Sequence, residues 1–353
     1  MSIWERFFKG KTERTASQKE KGPQAAAWLA ALAVFALLCA VLGLAAGSSR
    51  LDLLEIAGEL FRGEAISSGA RILLYVRWPR VCAALLSGAA LAVSGMVIQA
   101  VLGNPLASPN VIGANAGAGF FTFLAMALFP GVPGAAPAGA FAGALAATLA
   151  VCAVAAGAGA GKLGIILAGV AVSSIFTAGI NTIKTFFPET LYNGSAFLIG
   201  GFSGVSQKDF TPAWAVILLA LGAAFLLGGQ ADLLCLGEDT ARTLGMNVPL
   251  ARFSLIVLAC VLAGCAVSFA GLLSFVGLLA PHMVRRLLGE ARTSHRILLP
   301  AAALLGAGFV TLCDLLSRVL FAPYEIPVGI LLSFVGGPFF LALILKQRGR
   351  DGD

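Results

Sequence analysis

Apolar residues in this chain run unbroken for about twenty positions at a time, without strict alternation, and polar or Gly/Pro-rich breaks separate the runs. Runs of that length suit helices that cross a bilayer, where the backbone must satisfy its own hydrogen bonds. Ten spans are expected, at 25–46, 81–102, 111–129, 135–156, 164–187, 212–228, 253–270, 272–288, 298–317 and 328–345. The fold class is therefore all-α integral membrane, with about ten transmembrane helices in one domain over residues 25–348. A mobile, charged cytosolic tail is expected at 1–24 and a short cytosolic end at 349–353. The first run follows too long a charged lead to be a secretory signal.

The breaks carry their own pattern. Residues 47–76 read as an external segment with a short amphipathic helix whose apolar face is Leu53, Leu54, Ala57 and Leu60. Residues 188–211 are apolar but Gly-rich and too short to cross, which suits a surface or re-entrant segment. Pro79 fits the first turn of the second span. Along that span Ser87, Gly88, Ala92 and Gly95 form a face on which another backbone can approach, and Gly113, Gly117 and Gly119 form a second such surface in the third. Asn104–Asn110 interrupts the chain before the third span and Ala280-Pro281-His282 within the eighth, five later. Ten spans can thus divide as five plus five, an inverted repeat with the two copies upside down relative to each other.

Composition agrees with the pattern: 59% hydrophobic and 12% charged residues, a mean hydropathy of +0.93 and Gly 43 belong to a tightly packed membrane bundle. Most of the 24 Lys and Arg fall on the side of the N-terminus, which places both termini in the cytosol. The basic residues on the other side are Arg50, Arg62, Arg71, Arg77, Arg80, Lys184, Lys208 and Arg318. The seven cysteines include no C-x-x-C pair and read as small packing residues, so no metal site, disulfide framework or cofactor is expected.

Among candidate chemistry, Arg77 and Arg80 stand at the N-terminal rim of the second span, the wrong end of a helix dipole for cations. With Arg318 they read either as lipid-snorkelling anchors or as a docking surface. Asp314 and Arg318 are spaced to pair along one helix. His282 follows Pro281 and can bond a freed carbonyl, or serve with Ser274 or Asp314 in an intramembrane enzyme; no G-x-S-x-G or H-E-x-x-H signature supports the latter. Gln99, Asn115 and Asn181 can glue helices or line a path. A-G-A-G-A-G-K-L (156–163) lacks the first Gly and the Ser/Thr of a phosphate loop. Leu233–Leu250 has short-helix grammar: Gly237 breaks, Glu238–Leu244 turns with Glu238 and Arg242 at i,i+4 and Ala241 beside Leu244 on an apolar face, and Gly245 terminates.

R-W-P-R (77–80), S-G-M-V-I-Q-A-V-L-G-N-P-L-A-S-P-N-V-I-G (94–113), L-G-E-D-T-A-R-T-L-G-M-N-V (236–248) and the A-P-H-M-V-R-R and F-A-P-Y-E-I-P segments together resemble the permease subunits of ABC importers for iron complexes, haem and vitamin B12. The resemblance covers roughly residues 25–348. It implies a multi-pass protein of the cytoplasmic (inner) membrane of a bacterium or archaeon, surrounded by membrane lipid. It would pair with a second permease subunit, as a homodimer or with a sister permease. It would be powered by two separate ATPase subunits and fed by an extracytoplasmic substrate-binding protein; no nucleic-acid partner is implied. The chain itself would be no enzyme. An iron chelate such as a siderophore is the expected cargo, with haem or cobalamin as alternatives. By the same resemblance Arg77, Arg80 and Arg318 would receive the binding protein. Gly237, Glu238, Ala241, Arg242, Leu244 and Gly245, within 233–250, would couple to the ATPase, and Lys162 and Leu163 would stand at the cytoplasmic gate.

Overall fold

The computed structural model describes residues 3–47, 56, 58–59, 67–158, 161–289 and 294–348, and among these every regular element is helical. In chain order the helices are α1 (Ile3–Ala45), α2 (Ser68–Leu102), α3 (Ala114–Leu128), α4 (Ala135–Gly157), α5 (Lys162–Phe186), α6 (Glu189–Ile199), α7 (Gln207–Cys235), α8 (Glu238–Thr243), α9 (Val248–Ala270), α10 (Val276–Leu288), α11 (His295–Val319) and α12 (Val328–Arg348). Each of the ten expected spans falls on one of these, with α6 and α8 as short helices in the connections. Seven helices (α1, α2, α4, α5, α7, α9 and α11) are long and apolar enough to cross a membrane; α3, α10 and the apolar part of α12 are shorter.

Four local differences from the sequence reading have physical causes or limits. The charged lead is continuous with the first span, because α1 begins at Ile3 rather than after a separate tail. The amphipathic stretch around Leu53, Leu54, Ala57 and Leu60 lies outside the described residues. Pro79 stands in the first turn of the α-helical stretch Trp78–Leu102, as expected, but α2 as a whole starts earlier. The helix begins at Ser68 and passes through a π-helical turn at Leu73–Arg77, where the Trp78 N–H donates to the Leu73 carbonyl. Proline offers no N–H to the carbonyl four residues before it, and a widened turn just ahead of the ring accommodates that loss. Finally, the interruption near the eighth span lies at Gly271–Phe275, not at Pro281, which sits inside α10.

That last shift improves the match between the halves. A break follows the second span (Gly103–Gly113) and another follows the seventh (Gly271–Phe275). The helices after them, α3 and α10, both start behind a residue with positive φ, Gly113 at 78° and Phe275 at 66°. A phenylalanine in the left-handed region is strained, and tight surroundings must hold it there. They do: its ring and Cβ lie so close to Gly336 of α12 that a Cβ on Gly336 would sit 2.3 Å from the ring.

α2 is the axis of the bundle, buried along nearly all of Pro79–Leu102 and packed against α11, α9, α10 and α7. Its small residues make this possible. A Cβ on Gly88 would meet the Gly306 carbonyl of α11 at 2.2 Å, and one on Gly95 the Gly277 carbonyl of α10 at 1.8 Å. Gly117 and Gly143 make the same backbone approach between α3 and α4. At the periphery, α1 and α5 leave most of their apolar spans uncovered.

Candidate functional site

The end of the bundle where α1 stops holds a buried ionic cluster. Asp314 of α11, wholly inaccessible, takes Arg80 Nε at 2.9 Å and Arg318 Nε at 3.2 Å. Arg80 reaches on to Glu325, in the connection between α11 and α12, at 2.7 Å. Arg77 donates to the carbonyls of Leu44 and Ala45 at 2.8 and 2.6 Å, and Arg318 to those of Gly43 and Ala46 at 3.1 and 3.3 Å. Arg77, misplaced for its own helix dipole, is therefore well placed for another: with Arg318 it satisfies the last carbonyls of α1, its negative end. Arg77, Arg80 and Arg318 are 3%, 6% and 3% exposed. So enclosed, they tie α1, α2, α11 and the Glu325 connection together. Glu325 was not singled out in the sequence, although it stands in the quoted F-A-P-Y-E-I-P segment.

The opposite end carries α8. Gly237 precedes it with φ 102°, the helix spans Glu238–Thr243, and Gly245, φ 84°, ends the turn. Glu238 pairs with Arg242 at 3.8 Å, as its spacing predicted, and more tightly with Arg252 of α9. One expectation is corrected: Ala241 and Leu244 do not share a face. Ala241 is fully buried among the subunit's own helices, whereas Leu244 and Leu236 are each 61% exposed. Lys162 opens α5, with Nζ close over Gly103, where α2 ends and its carbonyls need a cation. Also at this end, Asp232 of α7 bonds Ser294 and His295 at the start of α11. Asp232 lies in an apolar run, and an ionisable group there is the signal that could have flagged it.

α5 presents one long uncovered face. Leu163, Leu167 and Val170 occupy its first half; Ser174, Thr177, Asn181 and Thr185 follow at helical spacing in the second. The hydroxyls of Ser174, Thr177 and Thr185 donate back to carbonyls one turn earlier, which satisfies their protons and leaves oxygen lone pairs outward. Beside this face, Asn110 and Val111 of the 3-10 turn Pro109–Ile112 form with Ile166, Val170, Ser173, Ser174 and Thr177 an open groove of about 560 Å³. A smaller cavity of about 170 Å³ lies between the two breaks, where Ser108, Asn110 and Asn115 meet Ser274 and Phe275.

The remaining polar candidates contact neighbouring helices. His282 lies edge-on to Phe339 with ring centroids 5.8 Å apart, and Asp314 is committed to two arginines, so the intramembrane-enzyme alternative loses its acid. Gln99 accepts from Arg285 of α10. The cysteines are all unpaired, and Cys39, Cys260, Cys265 and Cys313 are buried.

A polytopic bundle built on close glycine contacts, broken at matching places and bearing an uncovered polar helix face, defines the class as a membrane transport protein. The chain belongs to the FecCD transport family, whose model matches residues 34–346. It is 34% identical to the Fe(3+)-citrate import system permease protein YfmD of Bacillus subtilis over 310 residues, 87% of this chain and 91% of that one. It is 36% identical to the achromobactin transport system permease protein CbrC of Dickeya dadantii, over 91% of each chain. Identity to the hemin transport system permease protein HmuU of Yersinia pestis is 34%, over 88% of this chain and 95% of that one. A solved structure described as an inward-facing conformation of a metal-chelate type ABC transporter matches at a TM-score of 0.78 and 29% identity, covering 90% of this chain and 98% of that one.

Proposed function

We propose that this chain is the permease subunit of an ABC importer that carries an iron chelate across the cytoplasmic membrane, with both termini cytosolic. The observation that carries the reading is the uncovered face of α5. Four polar side chains on the outside of a membrane-spanning helix face either water or a partner, since lipid would leave their acceptors unsatisfied. A second permease subunit placed against this face encloses a path between the two chains. Polar groups from Ser174 to Thr185 then line one half of it. Leu163, Leu167 and Val170 close the other half, toward the cytosol, as an apolar constriction that gates by excluding water. Leu163, 68% exposed at the α8 end of this face, is the gate residue, and Lys162 anchors its helix.

Energy comes from a separate pair of ATPase subunits docking on α8 through the exposed Leu236 and Leu244, with Gly237 and Gly245 bounding the contact. A substrate-binding protein delivers cargo at the Arg80 end. The name of the Fe(3+)-citrate relative supports a ferric chelate as cargo; the hemin relative keeps haem as a second reading.

Cysteine placed singly at positions 174, 177, 181 and 185 tests the path. In proteoliposomes of the full transporter, a membrane-impermeant thiol reagent should label these positions, and ferric chelate delivered by the binding protein should slow labelling. Labelling that only a lipid-soluble reagent achieves would place α5 against lipid and defeat the reading.

A further inference from the structure

We infer that Asp232 and His295 form a joint that carries the displacement of α8 into α11, acting as positioning residues that link ATP hydrolysis to transport; the inference rests on the coupling role proposed for α8.

The joint is unusually specific for a helix contact. Asp232 stands in the last turn of α7, and its Oδ1 accepts the His295 backbone N–H at 2.8 Å and faces His295 Nδ1 at 2.6 Å. Its other oxygen meets the Ser294 hydroxyl, and Ser294 Oγ in turn accepts the Arg296 N–H at 3.2 Å. One carboxylate thus binds two consecutive residues at the N-terminus of α11, where three separate contacts fix direction as well as distance. His295 is buried and its Nε2 has no hydrogen-bond partner among the described residues, so the ring is oriented by Asp232. One turn earlier on α7, Gly228 lets the two backbones close up; a Cβ there would sit 3.1 Å from Arg296 N.

Both sides of the joint are helical and hydrogen-bonded. Toward α8, the Leu236 and Gly237 N–H groups donate to Leu233 and Leu234 carbonyls at 3.1 and 3.3 Å, and the Ala241 N–H donates to Gly237 at 3.0 Å. Ala241 is wholly buried, and α8 packs against the end of α7 and, through Glu238 and Arg252, the start of α9. On the far side α11 is one continuous 25-residue helix, about 37 Å long, with Pro300 in its second turn. It ends in Asp314 and Arg318, the two α11 members of the ionic cluster. α11 is therefore a rod with one end pinned beside the ATPase contact and the other pinned to α1 and α2. An N-cap alone would require one side-chain acceptor, which Ser294 already supplies.

The test uses the complete transporter in proteoliposomes, with ferric citrate on its binding protein as the probe, and measures chelate imported and ATP hydrolysed in the same sample. D232N keeps the shape and removes the charge; H295F keeps the ring and removes Nδ1. Each should lower chelate imported per ATP about tenfold while hydrolysis persists, a coupling loss of ordinary allosteric size. The double variant should do no worse than the poorer single one, since both remove the same joint. If either assembled variant imports as much chelate per ATP as wild type, even with a lowered melting temperature, the pair is a structural cap and the inference is overturned. Absence of ATP-driven import by the wild type would instead defeat the coupling reading itself.

Discussion

Asp314 shows how a single residue can govern the end of a bundle. A carboxylate with no solvent contact survives because two guanidiniums hold it, and those guanidiniums are themselves buried. Removing the acid leaves Arg80 and Arg318 without their main counter-charge. Breaking a buried pair from one side costs about 3–5 kcal/mol, much more than an exposed pair is worth. D314A should therefore lower stability by about that amount, measured by thermal or denaturant unfolding of the detergent-solubilised protein. A change below about 1 kcal/mol would show that water reaches the cluster. The pairing of Asp314 with Arg318 is legible from their spacing alone. The partners of Arg77 are not, because main-chain carbonyls at the end of another helix leave no trace in side-chain identity. Sequence reasoning recognises that cations around Pro79 are badly placed for the dipole of the span that follows; only the three-dimensional arrangement shows that Arg77 serves α1 and Arg80 pairs with Asp314 and Glu325.

At the scale of elements, the same distinction separates α8 from α2. The boundaries of α8 follow from Gly237 and Gly245, which take backbone conformations that side-chain-bearing residues resist. Which of its residues face outward does not follow, since six residues are too few for a periodic stripe. L244D should thus leave insertion and folding intact while abolishing co-purification with the ATPase and transport. A241R, forcing a guanidinium into a fully buried site, should instead destabilise the subunit. Equal ATPase retention by L244D and wild type would remove α8's outer face from the contact. α2 was the more readable element: its small residues announce close packing. G95A tests how close, because its Cβ would fall 1.8 Å from the Gly277 carbonyl. Relieving that clash requires α10 to move, so the variant should lose about 1–3 kcal/mol of stability, read as a lowered melting temperature. An unchanged melting temperature would mean that α2 and α10 are not so tightly apposed. The break at Gly271–Phe275 escaped notice for the opposite reason: Pro281 is the louder signal in sequence, yet a proline inside a short helix forfeits only one bond, while Phe275 adopts positive φ without any compositional mark.

At the scale of the whole molecule, an ionic clamp lies at one end, the proposed ATPase contact at the other, and between them an uncovered helix face proposed to meet a second subunit. Family membership identifies a transport protein, and the proposed path and gate rest on the polar half of α5 with its apolar continuation. The most direct measurement is uptake of radiolabelled ferric chelate into proteoliposomes that hold two copies of this chain and two of the ATPase, with the loaded binding protein supplied on the extracytoplasmic side. The account predicts accumulation that requires ATP on the cytosolic side and that stops with L244D. Accumulation without ATP, or none with any ferric chelate while another cargo enters, would contradict it.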